Sequence, residues 1–463
     1  MQKYDAIIIG AGMSGIAAAI RLAMFDKKVV LLEKHSISGG LNSYYHRRIR
    51  ETKEIINFDV GLHALTNFAK KGDKRKPFIK LLKQLRIPYE SFQLDEQSHS
   101  LIKFKSAELK FSNDLALLQS EIHAVFPNEI DGFNKFVDYI KDYNEVDLDS
   151  VYLSSKLVLN KFFQEELLKE MIIAPLLIYG SAWEDDMDFS QFVIMFKSLY
   201  FEGFSRPKGG VRTIINLLLE KLESVGGEVR FRTEVKEIRS GGKVKGVVLK
   251  NDEYLETDKI FSSIGLPETF GLLSETTKFQ PEVGKLSFTE TIYMLPDKKL
   301  INAFDSTIVF YNDSDKYLYR KPNDFCDFNS AVFCLPDNYN QNDNKGYGTV
   351  RVTHMANYQL WNNLERKIYL LEKEKVFNQA FDLGHKLLGH GEDIIFKDVF
   401  TPKTITKYTS HFDGTVYGST TKLRNGLTEI EGLHIIGTDQ GFLGIVGSIL
   451  SGISIANLHG LME

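Results

Sequence analysis

The first forty-odd residues constrain this chain more than any other stretch. Tyr4-Asp5-Ala6-Ile7-Ile8-Ile9 is a short apolar run with β-branched residues and reads as a buried parallel strand. It runs into Gly10-Ala11-Gly12-Met13-Ser14-Gly15, a G-x-G-x-x-G, and then into an Ala- and Leu-rich helix over Ile16–Met24. Lys28–Leu32 is a second apolar strand, closed by Glu33. Gly10 permits the tight turn, Gly12 lets backbone approach a pyrophosphate, and Gly15 lets helix and strand pack closely. The helix N-terminus offers unpaired N–H groups and a positive dipole end to phosphates. Glu33, eighteen residues past Gly15, is placed to accept hydrogen bonds from a ribose diol. A glycine turn alone would suit any βαβ unit. Strand, turn, helix and acid together specify dinucleotide binding.

Composition narrows the rest by exclusion. A chain of 463 residues has room for two or three domains, and 43% hydrophobic with 25% charged residues is the make-up of a soluble globular protein. A net charge of -4 leaves no basic footprint for nucleic acid. Cys326 and Cys334 make neither a metal cluster nor a disulfide framework and read as reduced thiols of a cytosolic protein. His354, His385 and His390 lack metal-ligand spacing, so no metal is expected. The apolar start, Ala6–Ile20, follows Asp5, carries the fingerprint glycines and has no small-residue cleavage site, unlike a signal peptide. Gln440–Met462 lacks Asp, Glu, Lys and Arg and is as long as a membrane span. Its many glycines and serines (Gly444, Gly447, Ser451, Gly452) fit a helix packed inside the protein better than a tail anchor.

Along the chain, Ser38-Gly39-Gly40-Leu41-Asn42-Ser43 is a second glycine turn that lets backbone lie against a ligand. Ile55–Phe58 reads as a strand and Asp59–His63 as a loop. Lys70–Lys76 is a basic surface segment, either a solvated loop or a contact for anionic lipid. Pro77–Tyr200 reads as mostly helical, and the apolar stretches Met171–Gly180 and Phe189–Phe204 suit either core helices or the lining of a lipid channel. Pro207-Lys208-Gly209-Gly210 opens a helix ended by Gly226-Gly227, followed by strands from Glu228 to Gly265. Between Pro281 and Asn425, strands are expected at Ser287–Leu295, Ser306–Tyr311, Tyr317–Arg320, Ser330–Leu335 and Gly348–His354. Asp337–Lys345 reads as a loop, Leu360–Leu388 as helix and Ile394–Tyr408 as extended chain. Gly432–Asp439 is a last strand, leading through Gly444-Ile445-Val446-Gly447 into the terminal helix. No second G-x-G-x-x-G marks a separate NAD(P)H domain, and no C-x-x-x-x-C marks a disulfide reductase.

The fingerprint, the strands around Gly227–Gly265 and the terminal strand–Gly-Asp–helix thus converge on one cofactor. With Gly39-Gly40, Phe58-Asp59-Val60-Gly61-Leu62-His63, Pro207–Gly210 and the Thr404–Gly418 stretch, this set resembles the flavin amine oxidase and phytoene desaturase superfamily. Within it the likeness is to carotenoid isomerases, carotenoid desaturases and retinol saturases. The resemblance implies an α/β fold: a Rossmann-like FAD domain of the glutathione-reductase type with a discontinuous α+β substrate domain. The FAD domain would take 1–70, 205–280 and 425–463, and the substrate domain 71–204 and 281–424. It implies that Gly10, Ala11, Gly12, Met13, Ser14 and Gly15 hold the FAD pyrophosphate and that Glu33 holds the adenosine ribose. Val235 would face the adenine and Asp439 the ribityl–phosphate region. Gly444, Ile445 and Val446 would bring N–H groups near flavin N1 and O2, and Lys34, Gly39, Gly40, Leu41, Asn42 and Gly437 complete the expected cofactor contacts. Many relatives carry Arg where Leu41 stands.

The activity implied is FAD-dependent desaturation, saturation or isomerisation of a lipophilic polyene or isoprenoid. His63 is the candidate proton carrier, beside a structural reading of the same residue, with Tyr408 and Tyr417 as lesser candidates. A flavin amine oxidase acting on a small amine and a flavin-free prenyl-lipid escort like the Rab GDP-dissociation inhibitors are the alternatives. A lipophilic substrate leaves peripheral contact with the inner face of a membrane as an expectation for the Pro77–Phe204 region. Oligomeric state, electron partner and reaction direction stay open.

Overall fold

Ala6–Ile9, Val29–Leu32 and Ile260–Ser262 have every side chain buried, a pattern suited to a sheet covered on both faces. The computed structural model describes residues 2–51, 53–147, 151–298, 304–339 and 346–462 and places these strands in one five-stranded parallel sheet. Its order is Glu228–Arg230, Val29–Leu32, Ala6–Ile9, Ile260–Ser262, Leu433–Ile435. One layer is thus assembled from three segments far apart in the chain. Val235–Arg239, Gly246–Leu249 and Tyr254–Glu256 form an antiparallel meander beside it, edged by Gln2–Lys3.

The fingerprint helix Met13–Ala23 and the terminal helix Gly444–Ala456 pack on each other. A Cβ on Gly452 would lie 2.1 Å from the Ser14 carbonyl oxygen, so the small residue sets the spacing. Among the described residues, Gly444–Leu461 is the helix long and apolar enough to cross a membrane, yet 56% of it is buried in the protein. That burial matches the packed-helix expectation. Gly452→Val is expected to cost about 2–3 kcal/mol through backbone overpacking. A lowered urea midpoint with unchanged slope would show it.

A seven-stranded sheet forms the second layer, in the order Phe396–Phe400, Ser287–Leu295, Gly348–Ala356, Ser330–Cys334, Ile308–Asn312, Ser100–Lys103, Glu108–Phe111. All its pairs are antiparallel except Ile308–Asn312 with Ser100–Lys103. The last two strands correct the helical reading of Pro77–Tyr200. Glu108–Phe111 alternates exposed and buried side chains, a strand pattern only four residues long. Tyr317–Arg320 is not a strand: Tyr317 and Tyr319 instead turn into the aromatic core, and the Tyr319 hydroxyl donates to Ser181 O at 2.8 Å. After Phe396–Phe400 the chain does not stay extended but forms the helix Pro402–Thr409. Proline at its first position and a capping box between Thr401 and Thr404 start it despite the β-branched run. Tyr358–Asn362 and Arg366–Leu388 split the expected Leu360–Leu388 helix. The loop expected at Asp337–Lys345 lies, from residue 340 on, outside the described residues.

Helices Glu166–Gly180 and Phe189–Phe196 sort their side chains between both earlier readings. Leu176, Phe189, Phe192 and Phe196 are wholly buried in the core, whereas Ile178, Tyr179, Ile194 and Met195 line a cavity.

Candidate active site

Backbone geometry at the two glycine turns comes first. Gly10 has φ +92°, and a Cβ on Gly15 would stand 2.0 Å from Gly10 O, so turn and helix touch backbone to backbone. A Cβ on Gly12 would meet nothing nearer than Ser263 Oγ at 4.0 Å. Gly12 is also the N-cap of the fingerprint helix and provides no side-chain cap. The first-turn N–H groups therefore face open space, the arrangement that receives a phosphate. Gly39 N donates to Ala11 O at 2.7 Å, and Gly40 sits against Gly12 with φ +57°. The two turns together form a glycine-walled cradle that is open over Gly12.

Glu33 lies at the end of its strand, with one carboxylate oxygen accepting from Ala11 N (2.9 Å) and the other from His35 N (2.8 Å). An ionised carboxylate offers about four acceptor sites, so two remain for a ribose diol. Val235 is brought near it because Thr233 N donates to Glu33 O at 2.8 Å. Lys34 turns its ammonium to Ser410 Oγ, and burial lowers its pKa.

At the other end of the cradle, Gly437 has φ +84° and its N–H donates to Ser451 Oγ at 2.7 Å. Asp439 departs from expectation. Its carboxylate is buried and accepts from Leu266 N (2.6 Å), Ser419 N (2.8 Å) and Lys422 Nζ (3.0 Å). The side chain ties three loops together, which leaves backbone rather than carboxylate to meet a ribityl–phosphate chain. Gly444 opens the terminal helix with φ +69° and no atom within 4 Å of its Cβ position.

Gly444, Ile445 and Val446 line one wall of a cavity of about 590 Å³, with Leu41 and Asn42 beside them. Ile178, Met195, Phe201, Phe288 and Val416 make much of it apolar, and its lining includes Lys76 and the exposed Val146. His63, Glu290 and Thr353 form a polar patch in its lining. Of the lesser candidates, Tyr417 lines the cavity but spends its hydroxyl on Ile178 O, and Tyr408 stands exposed away from it, against His35.

The Asp59–His63 loop is held by residues that no local pattern connects. Asp59 accepts from Val211 N at 2.9 Å, capping the helix Val211–Ser224, and pairs with Arg206. A Cβ on Gly210 would fall 2.5 Å from Asp59 Oδ1, and one on Gly61 2.3 Å from Leu41 O. Thus the Asp59–His63 and Pro207–Gly210 motifs are two halves of one contact, laid against the second glycine turn. Arg206 donates to Leu62 O and His63 O, both at 3.1 Å. Arg351 donates to Leu62 O and Val60 O, both at 2.5 Å.

Arg351 also donates Nε to Glu290 at 2.6 Å, and Glu290 stands 3.2 Å from His63 Nε2. Burial pushes the Glu290 carboxyl up, but Arg351 and His63 outweigh it and hold it down at about 2. Glu290, Arg351 and Thr353 were not singled out from sequence. The available signal was a charge in the middle of each of two apolar strands, since a buried charge requires a partner. Among the described residues no group of His, Cys, Asp and Glu could hold a metal.

The model of the flavin-containing amine oxidoreductase family matches residues 13–458. A chloroplastic prolycopene isomerase of Daucus carota is 25% identical over 98% of this chain and 80% of its own. A phytoene desaturase of Fusarium fujikuroi is 24% identical over 61% of this chain and 53% of its own. An oxidoreductase from Methanosarcina mazei shares the fold, with a TM-score of 0.65 at 15% identity, covering 98% of this chain and 100% of its own. The chain belongs to the flavin-containing amine oxidoreductase family, and it is an FAD-dependent enzyme.

Proposed function

We propose that the protein acts on the carbon–carbon double bonds of a lipophilic polyene or isoprenoid, carotenoid- or retinoid-like, by desaturation, saturation or isomerisation. The observation that carries this reading is the cavity of about 590 Å³, long-walled with apolar side chains and bounded by Leu41, Asn42 and Gly444–Val446. The carotenoid-processing relatives support the substrate class. FAD, when bound, supplies hydride transfer at N5. The chain's part is to hold the polyene in a dry tunnel against the cradle and to manage a proton at His63. N–H groups at the start of the terminal helix favour negative charge, so Gly444–Val446 would stabilise a reduced, anionic cofactor held there. Lys76 and the exposed Val146 line the cavity beside the basic run 70–76, and a membrane delivering such a substrate would be met there.

The test is anaerobic incubation of the FAD-loaded protein with phytoene and with prolycopene, followed by chromatography of the products. New conjugated double bonds from phytoene mean desaturation. Conversion of prolycopene only after reduction by dithionite means isomerisation or saturation. A second reading, oxidation of a small amine, draws on Tyr179 and Tyr417, which both line the cavity. Bleaching of the flavin by putrescine but by neither polyene would favour it.

A further inference from the structure

His63 combines a fixed place in the fold with a ring nitrogen that faces the cavity. Its backbone carbonyl accepts from Arg206 at 3.1 Å and from Cys334 Sγ at 3.3 Å, and its ring stands edge-on to Tyr179 with centroids 6.2 Å apart. Nε2 lies 3.2 and 3.3 Å from the two oxygens of Glu290 and 3.1 Å from Thr353 Oγ1. Among the described residues Nδ1 has no hydrogen-bond partner, while the side chain lines the cavity.

The neighbours of Nε2 dictate where the ring proton sits. Glu290 receives Nε of Arg351 at 2.6 Å and the hydroxyl hydrogen of Thr353. With Arg351 against it the carboxyl is ionised, and an ionised carboxylate only accepts. Thr353 has given its one hydrogen to Glu290, so the lone pair it turns to Nε2 also accepts. All three oxygens facing Nε2 demand a donor. In the neutral ring that leaves Nδ1 as the acceptor.

We propose that Glu290, itself held by Arg351, is a positioning residue that locks His63 with its proton on Nε2 and aims Nδ1 into the cavity as the atom that takes or returns the substrate's proton. What the proton is taken from rests on the polyene reading above. The C–H bond concerned is broken as a proton that bonds to the Nδ1 lone pair. Its electron pair stays on the substrate, so this half-step calls for no oxidant of its own. Arg206, Cys334 and Tyr179 fix the residue's place, and Glu290 with Thr353 fixes its ring.

The test reads the tautomer directly. Protein labelled with 15N-histidine gives a two-bond 15N–1H spectrum in which the proton-bearing nitrogen is identified, and loss of a signal in H63N assigns His63. The expected result is an Nε2–H ring in the wild type and a population with the proton on Nδ1 in E290Q, where the amide can donate. With a polyene that the wild type turns over, E290Q and H63N are expected to lose about 10²-fold in kcat with KM within about twofold. E290D, which keeps the charge, should recover part of the loss. An Nδ1–H ring in the wild type, or full kcat in H63N or E290Q, would overturn the proposal. Because the tautomer is read without substrate, failure of the wild type to turn over either polyene defeats the functional reading separately.

Discussion

Gly15→Ala is expected to give a protein that folds but no longer retains FAD. The added methyl would sit 2.0 Å from Gly10 O and 3.1 Å from Ser263 Oγ. The serine can rotate, whereas the carbonyl belongs to the phosphate turn itself. Gly10 is fixed in turn by its N–H bond to Leu32 O at 2.8 Å and by φ +92°, so the helix has to move outward. That movement drags Gly12 and the first-turn N–H groups off the phosphate position. Overpacking of this kind costs about 1–3 kcal/mol in stability. The effect on the ligand is larger, because hydrogen bonds to the pyrophosphate are lost together. A fall of at least about 100-fold in FAD affinity is expected, roughly 2.7 kcal/mol. Flavin fluorescence released on ultrafiltration measures it; wild-type retention by G15A would contradict the cradle.

The second large effect concerns Arg351. Arg351→Met removes the partner of a carboxylate buried on the second strand of the seven-stranded sheet, orphans the carbonyl of Val60 and leaves that of Leu62 with Arg206 alone. Breaking a buried pair from one side typically costs about 3–5 kcal/mol, because the remaining charge is uncompensated. The double variant E290M/R351M removes both charges at similar volume and is expected to recover much of that loss. It should not recover all of it, since the Val60 carbonyl stays unpaired. A urea-denaturation cycle over the four proteins measures the coupling. Additive losses would contradict the pairing.

The same pair predicts an acid dependence. Glu290 titrates near 2 instead of its ordinary 4.5, a depressed carboxyl. Its stabilisation is therefore fully present above pH 4.5 and is lost as pH falls from there toward 2, on the order of 3 kcal/mol in total. Stability of E290M/R351M is expected to fall less steeply than that of the wild type over this window. Parallel pH profiles would count against the assignment.

What the sequence made legible follows the range of the interactions. Gly10–Gly15 and Glu33 act within one βαβ unit, where spacing alone sets geometry. Asp59–His63 and Pro207–Gly210 were visible as motifs, but their contact crosses about 150 residues of chain, and only the fit of Gly210 against Asp59 reveals it. Glu290 and Arg351 meet through strand register: Thr353 pairs with Glu290 and Arg351 with Ile292, putting the charges diagonally on one face. Nothing local encodes that register. The resemblance puts Asp439 near the cofactor, but its carboxylate bonds to Leu266, Ser419 and Lys422 could not be read from the motif, since they join separate loops. Ser100–Lys103 and Glu108–Phe111 were missed because four residues hold too few periods to outvote the helical pattern around them.

The most direct test of the account is the absorbance spectrum of the purified protein, recorded before and after anaerobic addition of prolycopene. The glycine cradle beside an apolar cavity predicts the paired bands of an oxidised, tightly held flavin, and a shift or bleaching of those bands when the polyene enters. A colourless protein that FAD cannot reconstitute, or flavin bands untouched by any polyene, would contradict it.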